Sequence, residues 1–306
     1  MAGRRTERTR MKRMIIAALA VLCFAAAASV FAGPAGIDLP DYDRKMLKNG
    51  LTVFVMETEE LPLVSIRLLL PAGSAADPAG RAGVANLTAE LVMKGAGGMG
   101  ADEIAGAIEG LGGELAASAG RDYTAVSGNF LARDLAAGLD LLETVVTKPD
   151  FPAGEVERQK GIVAAAISSV KDNPYGFASR EFARLLAAGH PYAHPVEGSA
   201  SDVAALTRND VVRFHEANWT PDGAILAIVG DIDAKQAMKI ATKRLGNWKG
   251  TRAAAPVPAL ERRSFPGRRV VVIDDPELTQ SQIRIGNIAA GMDSPCLLYT
   301  SPSPRD

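Results

Sequence analysis

The chain has 306 residues, with 34 Lys and Arg against 35 Asp and Glu. That length admits one large domain or two of ordinary size, and the nearly cancelled charge leaves no basic footprint for nucleic acid. Aromatic residues make up only 5% while alanine and glycine abound, which favours close-packed helices over a sandwich or barrel.

The first segment in chain order is a targeting signal. RRTERTRMKR is basic, MIIAALAVLCFAAAASV is an uninterrupted apolar run, and Ala32, with Val30 two positions earlier, precedes GPAG. This is the layout of a secretory signal, so residues 1–32 are set aside from the fold as a signal peptide. A retained single-span anchor is the other reading, because the apolar run is only marginally shorter than a bilayer needs. Bulky Leu22 before Cys23 argues against a lipoprotein site, and Met11 and Met14 are alternative starts. With Cys23 leaving in the signal and Cys296 in the tail, the mature chain has no cysteine for a disulfide or a thiolate metal site. The expected location is the periplasm or the exterior, with no membrane span after signal cleavage.

LKNGLTVFVMET has an Asn-Gly turn beside an alternating apolar run and predicts a hairpin. LPLVSIRLLLPAGS predicts a second strand, too apolar for a water-facing edge. RAGVANLTAELVMKGAGG (81–98) predicts an amphipathic helix running out into glycines. ADEIAGAIEGLGG predicts a short helix with Asp102 near its start, and GELAASAGRDYTAVSGNFLA two strands joined through AGRD. Helices follow over RDLAAGLDLLETVVTKP, over FPAGEVERQKGIVAAAISSVKDNP with Pro152 in its first turn, and over NPYGFASREFARLLAAG. TRNDVVRFHEANW predicts another, capped by Thr207 or Asn209; AILAIVGDI is a buried strand and DAKQAMKIATKRLGNW a closing helix.

Strands cluster early and helices late, which predicts an α+β fold: a mainly antiparallel sheet with helices packed on one face. The expected domain runs over 41–248 and is followed by a proline- and charge-rich linker at 249–266. Residues 267–295 read as a hairpin opening a second, truncated domain whose layout echoes the first. CLLYTSPSPRD (296–306) has the look of a translated sequencing adapter, so the natural protein is expected to continue differently past Pro295.

LKNGLTVFV, PAGS, GVANLTAELVMKGA, GGEL, RDYT, HPYAHPVEG and AILAIVGDID stand in the order seen in the insulinase/pitrilysin-like zinc metallopeptidases. The chain resembles that family from about Leu47 to Trp248, the long GEVERQKGIVAAAISSVKDNP helix included. The resemblance implies repeated copies of one α+β domain enclosing a chamber for unfolded peptides.

The same resemblance puts an inverted zinc motif, His-x-x-Glu-His, on the 81–98 helix. Two histidines four apart share a helical face and can hold one zinc, while the intervening glutamate activates its water. Aligned through Gly83-Val84-Ala85 and Lys94-Gly95, those positions carry Asn86, Ala89 and Glu90. The third ligand, a glutamate on the long helix, falls on Ala165 or Ala166. All three ligands and the base are missing, so no catalytic residue, no metal and no cofactor are expected in this chain. Asn86 and Glu90 are expected to be a polar face on a solvated cavity, since an amide and one carboxylate make a poor zinc site.

Other candidates carry less. His190 and His194 flank PYA, conceivably a metal pair, but HPY leading to Gly198 resembles a structural loop of the family. His215 reads as a plain surface histidine. No nucleophile elbow or phosphate loop is present. GGELAASAGRDYT resembles the strand that runs beside bound peptide, although the family's usual Asn is absent near Ala116; Arg121 and Asp122 are expected to fix the turn. The expected function is a non-catalytic subunit forming a heterodimer with a zinc-bearing insulinase-like subunit and holding unfolded peptides, with zinc in that partner. The alternatives are a stand-alone envelope peptide-binding or scaffold protein, and an active peptidase with a rebuilt site.

Overall fold

Period-two burial organises the sheet. In strand β3 (Leu63–Leu70) Val64, Ile66, Leu68 and Leu70 are buried while Leu63, Ser65 and Arg67 are exposed, so one face meets the helices and the other stays open. The computed structural model describes residues 40–252, 257, 260, 270–276 and 278–288, and the architecture belongs to the unit Tyr42–Asp306. The expected signal 1–32, the tail 296–306 and most of the linker 249–266 lie outside the described residues.

Strands β1 (Asp43–Met46) and β2 (Thr52–Glu57) form the expected hairpin around Asn49-Gly50. Asn49 Nδ2 donates to the Leu245 and Trp248 carbonyls at 2.7 and 3.0 Å, fastening that turn to the end of the last helix. Helix α1 spans Val84–Leu91, and a small ribbon, β4 (Gly95–Ala96) with β5 (Met99–Gly100), forms where glycines alone were expected. Then come α2 (Ala101–Gly110), β6 (Glu114–Ala119), β7 (Thr124–Leu131) and α3 (Leu135–Thr147). The long helix α4 covers Ala153–Ser169 and α5 covers Pro174–Leu186.

Helix α6 (Ala200–Ala205) was not expected; Ser199 caps it by accepting the Asp202 N–H at 3.1 Å. Helix α7 (Arg208–Asn218) starts at Thr207 rather than Asn209. Thr207 Oγ1 accepts the Asp210 N–H, and Asp210 in turn accepts the Thr207 N–H, which is a reciprocal cap. Strand β8 (Ile225–Gly230) and helix α8 (Ala234–Leu245) close the unit.

The six-stranded sheet runs β1-β2-β8-β3-β7-β6. Every neighbouring pair is antiparallel except β2 with β8, so the α+β, mainly antiparallel expectation holds. Strand β8 inserts between β2 and β3, which are consecutive in the chain. Its Leu226 and Ile228 are buried on the helix face, level with Val53 and Val55 of β2.

One expectation fails. The described residues of 270–288 contain no strand, so the hairpin read over 267–295 is not formed there. A two-stranded ribbon is marginal without further strands or a covering layer, and no strand of the described sheet pairs with it. Arg284 instead lies over the Tyr175 ring at 4.0 Å and donates to the Tyr175 carbonyl at 3.0 Å, against α5.

Candidate functional site

Helix α1 is held at its start by a backbone lock. Gly83 has φ of 95°, a left-handed conformation, and a Cβ there would lie 2.4 Å from the Glu197 carbonyl oxygen. Gly198 (φ 80°) is its counterpart: a Cβ would stand 2.2 Å from the Ala82 oxygen. Two glycines thus let the HPVEG loop and the start of α1 touch backbone to backbone. Gly198→Ala is expected to lower stability by about 2 kcal/mol or more, from the positive φ and the clash together; urea denaturation measures it.

Asp77, which the sequence reading passed over, completes this start. Its carboxylate accepts the Gly83 and Ala85 N–H groups at 2.7 and 2.9 Å. Burial pushes the Asp77 carboxyl up to about 7, against those two donors, with the charge of Asp202 acting in the same direction as burial.

Further along α1, Asn86 and Glu90 are half-buried and share a face, whereas Ala89 is 0% exposed and belongs to the hydrophobic core. Asn86 Nδ2 donates to one Glu90 oxygen at 3.0 Å, and Gln159 Nε2 of α4 donates to the other. The solvated cavity expected at Asn86 and Glu90 is therefore closed on one side by a buried amide. Gln159 had a sequence signal. It follows Val156 by three residues and precedes Val163 by four, a polar side chain on the buried stripe of α4.

Ala165 and Ala166 are exposed on α4 and bring methyl groups only. Ala166 is seven residues from Gln159, within about 20° of two whole turns, so it continues the stripe that faces Glu90; Ala165 is turned about 120° away. Strand β6, with exposed Ala116, packs beside α1 and is the last strand of the sheet, so among the described residues its outer edge has no strand partner.

The remaining candidates sort by contact. Arg121 donates to the Tyr192 and His194 carbonyls at 2.7 and 3.2 Å, and the Tyr192 hydroxyl donates to Asp122. Burial and the Asp122 carboxylate push that hydroxyl up to about 12. Arg121 and Asp122 thus clamp the β6–β7 turn to the 190–195 loop. His190 Nδ1 accepts the Tyr192 N–H at 3.1 Å, which makes it a cap of the same loop.

His215 is half-buried rather than a plain surface histidine. Its Nε2 donates to the Val146 carbonyl at 2.8 Å, and its ring lies 5.5 Å from Phe151 and 5.2 Å from Trp219. The helical pattern put it at a boundary, but the loop after α3 covers it. Burial holds the imidazole down to about 4, outweighing the carbonyl, which favours the charged form. Its folded pKa is below the unfolded value of 6.5, so its contribution is complete above pH 6.5 and lost as pH falls toward 4. Relative to His215→Gln, which can keep the Val146 contact, the protein should lose up to about 3 kcal/mol over that window. Denaturant midpoints of the two proteins from pH 7 to pH 4 measure it. Asp77 has the opposite sign, so only the difference between the proteins isolates His215.

Residues 52–197 match the family model described as insulinase (peptidase family M16), and residues 205–297 match the peptidase M16 inactive domain. The chain belongs to the insulinase (M16) peptidase family. The inactive-domain match begins inside α6, well ahead of the proline-rich segment, so α7, β8 and α8 fall within it.

An uncharacterized zinc protease of Mycobacterium tuberculosis is 29% identical over 82% of this chain and 58% of its own length. Human cytochrome b-c1 complex subunit 1 is 25% identical over 78% of this chain and 49% of its own. The crystal structure of a peptidase M16 inactive domain from Pseudomonas fluorescens superposes with a TM-score of 0.68 and 31% identity, covering 72% of this chain and 54% of that one. The chain thus spans about half the length of the relatives it matches.

The family implies zinc, and the residues at the corresponding place do not fit it. The one carboxylate there, Glu90, has both oxygens engaged by amide N–H groups, Ala89 is core, and Ala165 and Ala166 offer no donor atom. Among the described residues no group of three or more His, Cys, Asp or Glu side chains could hold a metal ion.

Proposed function

We propose that this chain is a non-catalytic insulinase-like subunit of the cell envelope that pairs with a zinc-bearing homologue to form a peptide-degrading chamber. The reading rests on one observation above all. The carboxylate at the site is tied to Asn86 and Gln159 while the positions of the base and the third ligand carry methyl groups. Such a site can orient a peptide but has no group placed to activate water.

What it retains is a place for the peptide. Among the described residues no strand pairs with the outer edge of β6 beside α1, and an extended chain can add there by main-chain hydrogen bonds. Export is supported by the basic and apolar layout of residues 1–32, and among the described residues no helix is long and apolar enough to cross a membrane.

Purified protein should hold far less than one zinc per chain and cleave no unfolded peptide alone. Mixed with a homologue carrying His-x-x-Glu-His, it should co-purify and raise that homologue's peptide turnover. One tightly bound zinc that survives dialysis against a weak chelator would sink this reading in favour of a rebuilt enzyme. Peptide binding without any such pairing would favour a stand-alone envelope peptide-binding or scaffold protein, which the open β6 edge also suits.

A further inference from the structure

A chain with a formal net charge of −1 nevertheless gathers five cations along one groove. The groove encloses about 660 Å³ between strand β1 and helix α8, and Arg44, Lys45, Lys235, Lys239 and Lys243 line it, with Asp43 as the single acid. All six are exposed, and among the described residues none of the five cations is in an ion pair. Arg44 rests over the Phe54 ring at 5.6 Å, a contact that leaves its charge uncompensated. Like charges gathered this way repel one another, so an anionic occupant is favoured.

Two further features narrow the occupant. Strand β1 ends the sheet opposite β6, and among the described residues no strand pairs with its outer edge, so Asp43, Arg44 and Lys45, which line the groove, also belong to an edge open to a further strand. Lys235, Lys239 and Lys243 recur every four residues, about 6 Å apart along the helix. Alternate residues of an extended strand are about 6.6–6.8 Å apart on one face. The two spacings nearly coincide over three positions.

We infer that the β1–α8 groove binds an extended acidic polypeptide segment that adds to the β1 edge and places carboxylates at alternate positions under the three lysines. A single compact phosphate fits less well, because the charges spread over two helical turns and a strand. A bilayer surface has scattered headgroup donors and acceptors but no regular ladder of alternating N–H and C=O groups to match a strand edge. This site is at the opposite end of the sheet from α1 and β6 and does not depend on the loss of the metal ligands.

The test is fluorescence anisotropy of the purified chain with a labelled peptide of alternating Glu and Thr. Binding should weaken as salt rises, and should weaken by about tenfold or more in Lys235→Gln/Lys239→Gln/Lys243→Gln, whose positions are exposed enough to leave folding intact. The same peptide N-methylated at alternate amides should also lose binding, because it cannot pair along an edge. Wild-type affinity in the triple variant overturns the proposal, and so does undiminished binding of the methylated peptide. Lysine-dependent capture of polyphosphate or of phosphatidylserine vesicles, with no binding of the acidic peptide, overturns it in favour of a phosphate-bearing partner.

Discussion

Ala89→Glu should destabilise the domain by about 3–5 kcal/mol, because it places an unpaired carboxylate in apolar surroundings. Ala89 is fully buried in the core cluster with Ala85 and Val92 one turn away on either side, and neither offers a donor or a counter-charge. The added volume contributes about 1–3 kcal/mol more through overpacking. The measurement is the urea midpoint and slope of the variant against the parent chain. A loss below about 1 kcal/mol would mean that a glutamate here still finds water, and that this turn of α1 remains the wall of an open site.

Zinc binding should return when ligands are rebuilt on both helices, and only in one helical phase. Asn86→His with Glu90→His supplies two imidazoles on the shared face of α1, and Ala166→Glu supplies a carboxylate on the stripe of α4 that already reaches Glu90 through Gln159. This triple variant should keep about one zinc per chain after dialysis against a weak chelator, since a zinc site needs at least three protein ligands. Replacing Ala166→Glu by Ala165→Glu should leave little zinc, because that side chain is turned about 120° aside. Ala89 is untouched in both proteins, so no core charge confuses the outcome. Equal zinc in the two would show that α4 does not present the face inferred from Gln159. Zinc in neither would show that α1 and α4 stand at a separation no three ligands can bridge.

Much of this was legible in the residues themselves. An alternating apolar run marked β2, apolar runs marked β3 and β8, prolines bounded α4, a cap marked α7, and Asn49-Gly50 marked the first turn. That Ala89, Ala165 and Ala166 bring no donor atom was legible too, since a methyl side chain has none in any fold. Periodicity, however, reports that a face is covered and not what covers it. His215 reads as a surface histidine on its own helix, yet Phe151 and Trp219 pack against its ring and leave it half-buried.

The same limit separates what the sequence by itself determined from what only the tertiary structure decided. Local chemistry determined most of the elements, because each follows from the residues within a turn or two, and their order along the chain determined the fold class. The tertiary structure decided that β8 enters between β2 and β3, parallel to the former, since strand pairing across so many intervening residues leaves no local mark. It decided that Glu90 meets Gln159, 69 residues away, and so closed one side of a half-buried polar face with a hydrogen bond. It decided that Gly83 and Gly198 meet backbone to backbone, which is why neither can carry a side chain. And it gathered the cations of β1 and α8 into one groove, which a summed charge near zero conceals because the sum says nothing of where like charges meet.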